Sequence, residues 1–449
     1  MPFYGPQFSA SMVLSSSPAV AVMNPNSNAC PADYPYYQEL NLQEMNGYEV
    51  YLTNFFNGDD DESDSIEYWF GSWRLAPLGS LQADICWAID GPQTLDFEVD
   101  GVDSEGNDVT TTLSVSFQSP TQSPGKLSTS RDSLDLSATS GGSTSASLQV
   151  SVPTGQQWTL SVFPANQRTS WLTVSPLSGT GPATVTVKAS GAGLANGEYA
   201  ATLVVQSVNT MPQFVNVPVT LSNGLSSTTT IGGVTNGASF QQVAAPGMIM
   251  SVFGTKLTNS ATPQIASSVP LPFTMGGVTV TVNGVPAPFY YASQGQLNIQ
   301  LPYEIPVGSA ILNVNNNGQA AAYSFDVSDS APGIFVGSGN VLVPAASGRR
   351  GQTLTLFITG EGDVTPVIAT AASPPLTTPV DQLPSPRLAY SLTVGGVPVT
   401  PAFIGIPYYL VGVTQINFTI PQNAPLGSQP VVVTVGDNSS VAAKLNVTQ

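Results

Sequence analysis

The residues best suited to chemistry in this chain are carboxylates crowded into one short segment. The run from Asp59 to Asp64, followed closely by Glu67, is the densest acidic feature of the sequence. Calcium takes six to eight oxygen ligands, and alternate carboxylates in a loop could supply several of them. The run is not an EF-hand, because it has no glycine at the sixth position and no glutamate at the twelfth. A solvated acidic loop tip is the favoured interpretation, and the alternative is a calcium site with the candidate ligands Asp59, Asp60, Asp61, Glu62 and Asp64.

A second acidic run extends from Asp100 to Asp108 and precedes a strand pattern that ends at Phe117. Its two glycines and one asparagine are turn residues, so we interpret it mainly as a hairpin loop. Calcium binding is again the alternative.

Aromatic residues are also concentrated near the N-terminus. Exposed tryptophan or tyrosine faces can stack on sugar rings, and Trp69 and Trp73 are the candidate ligand contacts. Read as a strand, the segment places Trp69 and Trp73 on one face and Tyr68 and Phe70 on the other, so one set is expected in the core. Three further tryptophans are expected to pack inside sandwich cores, one of them beside a cysteine: Trp87, Trp158 and Trp171.

An enzyme built from this sequence would have to rely on carboxylates. The chain contains no histidine, which excludes Ser-His-Asp and Cys-His catalysis and histidine metal sites. Glycosidases use two carboxylates about 5–10 Å apart, but no spacing pairs the candidates Glu67, Asp84 and Glu98. The glycines of Gly276-Gly277 and Gly360-Glu361-Gly362 indicate turns rather than phosphate loops, because no helix or lysine follows them. We therefore expect no enzymatic activity.

Charge is sparse and unevenly distributed along the 449 residues. Lys and Arg number 10 against 28 Asp and Glu, so the net charge is 10 − 28 = −18. Residues 1–125 hold 18 of these acids and a single base, Arg74, whereas the remaining chain is nearly neutral. A helical protein needs more charged surface than this, and nucleic acid binding needs clustered basic residues. The acidic segment favours cations or basic partners instead.

Two cysteines, Cys30 and Cys86, both lie in the acidic segment. A pair within one domain predicts a disulfide and an oxidising compartment, and two buried thiols are the alternative. The bond would close a loop of about 55 residues and contribute roughly 4 kcal/mol by the chain-entropy estimate.

No apolar run reaches the 18 residues that a membrane-spanning helix needs. The first 22 residues lack the basic start of a secretory signal, and Ser15-Ser16-Ser17-Pro18 interrupts their apolar stretch. We expect that part of the protein precedes Met1.

The elements that must position these residues are predicted to be β-strands. Leu113, Val115 and Phe117 alternate with Thr112, Ser114 and Ser116, and Val278, Val280 and Val282 alternate with threonines. This period of two is typical of antiparallel sheets with one buried face. Turn residues recur every 8–12 residues or so, which favours sandwiches over βαβ units.

Two polar linkers and an internal repeat divide the chain. The linkers are residues 118–129 and 222–230. Val282-Asn283-Gly284-Val285-Pro286 recurs as Val394-Gly395-Gly396-Val397-Pro398, and each Asn-Gly or Gly-Gly pair predicts a tight type I′ hairpin. The second copy has a longer loop around residues 405–412. We predict four immunoglobulin-like sandwiches, at residues 1–120, 127–222, 232–328 and 329–449.

Residues 232–449 resemble a C-terminal domain family of unknown function that is abundant in secreted proteins of acidobacteria. The resemblance covers about half the chain and implies paired immunoglobulin-like sandwiches at the end of large exported bacterial proteins, with no known activity. The matching stretches, in chain order, are Asn236-Gly237-Ala238-Ser239-Phe240, Ala245-Pro246-Gly247, Ser251-Val252-Phe253-Gly254, Gly276-Gly277-Val278, Asn283-Gly284-Val285-Pro286-Ala287-Pro288, Gln296 to Pro302, Ala331-Pro332-Gly333-Ile334-Phe335 and Gln415 to Pro421.

Residues 127–222 resemble a BACON domain, a sandwich module named for a suspected link to carbohydrate. The motifs are the stretch from Trp171 to Pro176, Ser178-Gly179-Thr180-Gly181, the strand Ala183 to Val187, and Gly197-Glu198-Tyr199. Both resemblances imply exported modules, which agrees with a disulfide.

The sequence thus predicts a non-catalytic extracellular or cell-surface protein that binds or adheres to a protein or glycan partner, with the acidic N-terminal domain as the contact module. One alternative is a structural subunit of a surface layer, filament or stalk, which assembles through pairing of sheet edges between copies. The other alternative is a carbohydrate-binding accessory protein. Calcium is the one cofactor considered, and neither nucleic acid nor a membrane span is expected.

Overall fold

The computed structural model describes residues 9–24, 29–121, 123–226 and 228–449. Their regular structure is almost entirely β, with one short helix, α1 (Ile66–Phe70), and single turns of 3-10 helix at Ser63–Ser65, Gln167–Thr169, Ser338–Asn340 and Val380–Gln382. The strands form facing sheets, which confirms the prediction of tandem immunoglobulin-like β-sandwiches. The chain divides into two compact units, residues 1–225 and 226–449. Within the described ranges no helix is long and apolar enough to cross a membrane.

The first sandwich spans residues 12–118. Its strands are β1 (Met12–Ser17), β2 (Val20–Val22), β3 (Tyr36–Glu44), β4 (Val50–Asn57), β5 (Asp60–Asp61), β6 (Arg74–Leu75), β7 (Ser80–Trp87), β8 (Gln93–Asp103) and β9 (Asp108–Gln118). One sheet has the order β1-β3-β7, and the other has the order β2-β9-β8-β4-β5 with β6 beside β4. Val115 and Phe117 are fully buried between the sheets, as the period of two predicts.

The second sandwich spans residues 128–223. Its strands are β10 (Ser128–Thr129), β11 (Leu134–Ala138), β12 (Ser143–Ser151), β13 (Gln157–Phe163), β14 (Leu172–Ser175), β15 (Ser178–Thr180), β16 (Ala183–Ser190), β17 (Gly197–Gln206) and β18 (Phe214–Asn223). Sheet β10-β12-β16-β14 faces sheet β11-β18-β17-β13-β15. Trp158 and Trp171 are buried in its core, which confirms that prediction.

The third sandwich spans residues 230–327. Its strands are β19 (Thr230–Asn236), β20 (Ile249–Thr255), β21 (Gln264–Ile265), β22 (Thr274–Met275), β23 (Val278–Val282), β24 (Val285–Pro286), β25 (Phe289–Ala292), β26 (Gln296–Gln300), β27 (Gly308–Asn316) and β28 (Gln319–Val327). Sheet β19-β20-β26-β25-β21 faces sheet β22-β23-β27-β28, in which β24 extends from β23. Val278, Val280 and Val282 point into the core.

The fourth sandwich spans residues 333–448. Its strands are β29 (Gly333–Ile334), β30 (Val336–Gly337), β31 (Val341–Leu342), β32 (Ser347–Arg349), β33 (Thr353–Thr359), β34 (Val364–Thr365), β35 (Ser385–Pro386), β36 (Tyr390–Val394), β37 (Val397–Val399), β38 (Phe403–Gly405), β39 (Thr414–Thr419), β40 (Gly427–Val435), β41 (Asn438–Ser439) and β42 (Ala443–Thr448). Sheet β29-β33-β39-β38 faces sheet β30-β31-β42-β40-β36-β37, with β32 also on β42, β41 on β40, and a separate β34-β35 ribbon.

The predicted hairpin turns of the repeat are present in both copies. Asn283 and Gly284 have φ of 46° and 78°, and Gly395 and Gly396 have φ of 60° and 79°. Two successive positive φ values define a type I′ turn, whose twist matches that of the flanking strands. The longer loop of the second copy lies between the ends of β38 and β39, also as predicted.

The strand predicted through Tyr68 to Trp73 is wrong. Residues Ile66–Phe70 form α1, which ends at Gly71 in the left-handed conformation with φ 69°. Ile66 and Phe70 are both buried, because residues four apart share a face of a helix. Glycine at this position ends a helix without strain. The residues around α1 therefore form a helical turn packed on the core and not the predicted extended strand.

Strand β3 is buried on both faces because its outer face packs on the second sandwich. Tyr37 stacks on Phe214 with ring centroids 5.3 Å apart. The Oε2 atom of Glu39 accepts a hydrogen bond from the Asn216 amide at 2.6 Å, and Gln43 accepts one from the backbone N–H of Ala165 at 2.7 Å. The polar side chains on the outer face of β3 thus find hydrogen-bond partners in the second sandwich. The first and second sandwiches together form one compact unit.

Candidate functional site

The first acidic run forms a tight hairpin and the start of α1. Asn57 pairs with Asp60 and Phe56 with Asp61, so Gly58 and Asp59 make the turn between β4 and β5. The Ser63 hydroxyl donates to Asp61 at 2.5 Å and the Ser63 backbone N–H donates to it at 3.0 Å. These bonds lower the pKa of Asp61 below its usual value. The carboxylate of Asp61 therefore stabilises the turn that leads into α1.

The structure does not gather the predicted calcium ligands into one cluster. Across the described residues, which include all of 59–64, no group of three or more acidic or cysteine side chains is placed to share an ion. Asp59, Asp60, Asp61 and Asp64 are exposed, and Glu62 is partly buried. Calcium binding stays a prediction.

The second acidic run is the turn of the β8–β9 hairpin, as predicted. Asp103 is 2% exposed and accepts hydrogen bonds from the backbone N–H groups of Ala10, Glu105 and Asn107 and from the Asn107 amide. Burial on its own raises the pKa of Asp103, and these hydrogen bonds lower it to a net value below the usual one. The carboxylate therefore organises the turn.

The two candidate tryptophans lie at the margin of the first core. Trp69 packs edge-on against Phe55 and Trp87, with centroids 5.3 and 5.9 Å apart. The indole N–H of Trp73 donates to Glu67 at 3.1 Å. Both side chains are partly buried, whereas their neighbour Tyr68 is 86% exposed. The exposed aromatic of this segment is thus Tyr68, and a ligand role for Trp69 or Trp73 stays a prediction.

A row of carboxylates covers the outer face of strand β8. Asp96, Glu98 and Asp100 alternate with the fully buried Phe97 and Val99, so all three point away from the core. Residues two apart on a strand lie about 7 Å apart. We call Asp96, Glu98, Asp100 and Asp61 the acidic face; Asp61 joins it through Phe56, which pairs with both Asp61 and Glu98.

Carboxylates of the acidic face are hydrogen-bonded to hydroxyl groups, and among the described residues of the first sandwich no basic side chain lies beside them. The Ser114 hydroxyl donates to Asp96 and the Thr110 hydroxyl donates to Asp100. Arg74, the single base of residues 1–125, is fully buried, 3.6 Å from Glu49 and over the ring of Tyr51. The negative charge of this face is therefore not compensated by a basic side chain of the same sandwich.

Two of the candidate catalytic carboxylates, Asp84 and Glu98, are not brought together. Asp84 lies on the outer face of β7 and accepts a hydrogen bond from the Tyr37 hydroxyl at 2.9 Å. Glu98 lies on the outer face of the opposite sheet, and Glu67 is engaged by Trp73. Two carboxylates on opposite outer faces cannot flank one glycosidic bond.

The predicted disulfide between Cys30 and Cys86 is present. It attaches the segment before β3 to the edge strand β7. The adjacent Trp87 is buried and donates to Gln38 at 3.0 Å, which confirms the predicted core packing beside the bond.

Sequence reasoning missed a buried carboxyl in the second unit. Glu361 is fully buried, and its Oε1 accepts a hydrogen bond from the Thr414 hydroxyl at 3.0 Å. Burial raises the pKa of Glu361 to about 7, against the lowering effect of that bond and of nearby backbone groups. The signal available in the sequence was a glutamate between two glycines in a region with few charges.

Comparisons with known proteins identify no family for this chain. No protein-family model and no curated protein matches it. Among solved structures, it is similar to the Bacteroides ovatus mixed-linkage glucan utilization locus SGBP-B in complex with a mixed-linkage heptasaccharide, at 14% identity over 71% of this chain with a TM-score of 0.28. The match spans 66% of that protein, just under two thirds of its length.

Two further solved structures illustrate the range of similarity. A protein of unknown function from Porphyromonas gingivalis is 13% identical over 46% of this chain and 99% of its own, with a TM-score of 0.20. Extracellular cadherin domains 1–4 of a protocadherin are 11% identical over 89% of this chain and 92% of their own, with a TM-score of 0.18. At these scores the similarities carry no argument about function.

Proposed function

We propose that the chain is a non-catalytic binding protein of the cell surface or extracellular space, and that its first sandwich contacts the partner. The observation that carries this proposal is the outward-facing row Asp96, Glu98 and Asp100, of which Asp96 is exposed and the other two are partly exposed, with the only base of the segment, Arg74, buried. A surface of one sign attracts partners of the opposite sign and speeds their encounter. The partner class that fits is a protein surface rich in lysine and arginine.

Two features support the extracellular part of this proposal. The disulfide suits an oxidising compartment. The resemblances of residues 127–222 and 232–449 are to exported bacterial modules. The sandwiches that follow the acidic one are nearly neutral, and we assign them the role of a spacer.

Neutralising the three carboxylates that β8 contributes to the acidic face is expected to slow association with a basic surface. The triple variant Asp96→Asn, Glu98→Gln and Asp100→Asn should bind immobilised polylysine at low salt about three- to tenfold more slowly than the wild type. The reason is the loss of long-range attraction, while the strand keeps its shape. Surface plasmon resonance at low and physiological ionic strength measures the effect, which should shrink as salt screens the charges.

The matched control removes the same charge elsewhere on the first sandwich. Asp33→Asn, Asp90→Asn and Glu105→Gln replace three exposed acids outside the acidic face. An equal loss of association rate in both triple variants would show that only net charge matters and would refute the acidic face as contact surface.

Carbohydrate binding is a second candidate because of one side chain. Tyr68, on α1, is 86% exposed and lies beside Glu67 in the sequence. An exposed aromatic ring offers a stacking face, and a neighbouring carboxylate can accept hydrogen bonds from hydroxyl groups. We expect Tyr68→Ala to lower any signal on a glycan array about tenfold, and Tyr34→Ala, at a ring 46% exposed, to leave it unchanged. An array with no signal for the wild type would remove this candidate.

A further inference from the structure

In three of the four sandwiches, the outer edge of the last strand is covered by a parallel strand from the same chain. Strand β2 pairs in parallel with β9, and β11 with β18. In the fourth sandwich β31 and β32 both pair in parallel with β42. Each covering strand comes from the start of its own sandwich. Strands β2, β11 and β32 lie along the C-terminal part of the last strand, and β31 pairs with β42 at Lys444, near its beginning.

The third sandwich lacks this cover. Its last strand, β28, pairs with β27 along all nine residues without a bulge and ends its sheet. Within the described residues no strand pairs with its other edge. Edge strands are commonly guarded by lysine, proline or a bulge, and β28 has none of these, with Asp326 as its one charge.

The register identifies which backbone groups point outward from β28. Asn317 and Gly318 have φ of 51° and 89° and form a two-residue turn, so Asn316 and Gln319 are a hydrogen-bonded pair. Outward groups then belong to the alternate residues Ala320, Ala322, Ser324 and Asp326. Ala320 fits this assignment, because its carbonyl accepts from the backbone N–H of Ser226 at 2.8 Å. In the described part of the chain, the outward backbone N–H and C=O groups of Ala322, Ser324 and Asp326 have no protein hydrogen-bond partner.

The apolar side chains of β28 are also incompletely covered. Tyr323 and Phe325 pair with the buried Leu312 and Ala310 and so face the core, yet both rings are only partly buried. At and next to the covering strands, the inward residues of the covered strands are buried completely or nearly so, as Phe117 is on β9. On β18 and β42 these are Val217, Val219, Leu221, Ala443, Leu445 and Val447. The uncovered edge therefore exposes apolar surface as well as backbone groups.

The segment after β19, which corresponds in position to the covering strands of the other sandwiches, coils instead of pairing with this edge. The buried Asn236 side chain accepts hydrogen bonds from the backbone N–H groups of Ala238 and Ser239. Phe240 then adopts a left-handed conformation with φ 57°. A segment in this conformation cannot form a parallel strand, and it reaches the end of β28 through the bond from the Ser328 N–H to the Ala244 carbonyl.

We propose that the outer edge of β28, residues 322–326, binds an extended peptide segment of another protein as an added parallel strand. The chain's own covering strands specify the chemistry of this partner. In β11, Leu134 and Leu136 face the core while Asp135 and Ser137 face solvent. The partner segment alternates apolar and polar residues in the same way, and a basic residue among the polar ones complements Asp326. This binding surface is separate from the acidic face and does not depend on it.

The test is amide exchange in the full chain with a defined peptide. The probe is an acetylated and amidated peptide, Lys-Ser-Leu-Lys-Leu-Ser-Ala-Thr-Ser, which is residues 132–140 of this chain with lysine in place of both aspartates. We expect saturating peptide to slow exchange of the Ala322, Ser324 and Asp326 amides at least about fivefold, with little change at Tyr323 and Phe325, which already bond to β27. A peptide of the same composition with adjacent leucines is the control and should give no protection.

Two variants of Ser324 locate the binding edge. Ser324→Pro removes an outward N–H without removing a bond to β27, and proline is tolerated on edge strands; it should abolish the protection. Ser324→Ala keeps the N–H and should preserve it. If Ser324→Pro does not fold, Tyr323→Lys serves instead, because a charge at this partly buried ring position should weaken binding of an apolar strand.

Three outcomes would overturn the proposal. The first is no protection at millimolar peptide, and the second is protection that survives in Ser324→Pro. The third is a dimer of the wild-type chain, seen by sedimentation equilibrium, that Ser324→Pro dissociates, because this edge would then pair with a second copy instead of a foreign segment.

Discussion

The free energy of unfolding of the second unit in Glu361→Gln, minus that of the wild type, is expected to be larger at pH 8 than at pH 4. The wild-type carboxyl has a pKa of about 7 in the folded protein, against 4.5 for an ordinary glutamate. Below pH 4.5 it is protonated in both the folded and the unfolded chain. Between 4.5 and 7 the unfolded chain has released this proton and the folded chain still holds it, so the stability of the wild type falls as the pH rises.

The loss is complete above pH 7, where both states are charged. A difference of two to three pKa units corresponds to roughly 3 kcal/mol. Glutamine imitates the protonated carboxyl, and its Oε1 can still accept the bond from Thr414. Any constant cost of the unpaired amide N–H₂ cancels in the comparison between the two pH values. The quantity to measure is the free energy of unfolding of the variant minus that of the wild type, as a function of pH.

The surroundings of Glu361 explain why the carboxyl stays in place despite this cost. Gly360 has φ of 87°, and a Cβ there would lie 2.1 Å from the carbonyl oxygen of Ala331. Ala331 in turn accepts from the buried Asn236 amide at 2.8 Å. The loop thus lies at the contact between the third and fourth sandwiches, which keeps the carboxyl fully buried. The nearby charged pair, Asp363 and Arg387 at 3.6 Å, is separate from it.

The tryptophans provide an internal control for the Glu361→Gln measurement. All five lie in residues 69–171, so tryptophan fluorescence reports the first unit, whereas far-ultraviolet circular dichroism reports both. The fluorescence transition should not change in the variant. Asp381→Asn, which removes an exposed charge of the fourth sandwich, should not reproduce the pH dependence. Parallel pH profiles for wild type and Glu361→Gln would contradict the prediction.

Regular strands were predictable from the sequence because their information is local. Val278, Val280 and Val282 alternate with threonine, and the alternation itself requires one buried and one exposed face. The glycine turns were predictable for the same reason, since few residues adopt a positive φ. The disulfide followed from two cysteines within one segment.

What the sequence did not reveal depends on contacts between distant segments. The helix α1 is only five residues long, too short for its period to stand out from the alternating aromatics around it. The burial of Glu39 and Glu361 arises where one sandwich packs on another. Nothing near Glu39 in the sequence signals its burial, and the two glycines beside Glu361 indicate a turn but not a buried carboxyl. The open edge of β28 becomes apparent only when the four sandwiches are compared strand by strand.

Removing the disulfide is expected to lower the stability of the first unit by about 4 kcal/mol. The cysteines are 56 residues apart, and a loop of this length gives that value when the chain-entropy cost is counted in the unfolded state. Cys30→Ser, Cys86→Ser and the double variant should all lose a similar amount, because the chain has no other cysteine. Guanidinium unfolding followed by tryptophan fluorescence measures the loss, since Trp87 lies next to the bond and contacts Trp69 and Phe97.

This loss of stability relates the disulfide to the compartment in which the first sandwich stays folded. Domains are commonly stable by about 5–15 kcal/mol, so a loss of about 4 kcal/mol would remove a large part of the stability of a sandwich that depends on it. The transition of residues 226–449, which contain no cysteine, should stay where it is. If the wild type with its thiols reduced unfolds at the same denaturant concentration as the oxidised chain, the first sandwich does not need an oxidising environment, and this support for an extracellular function is lost.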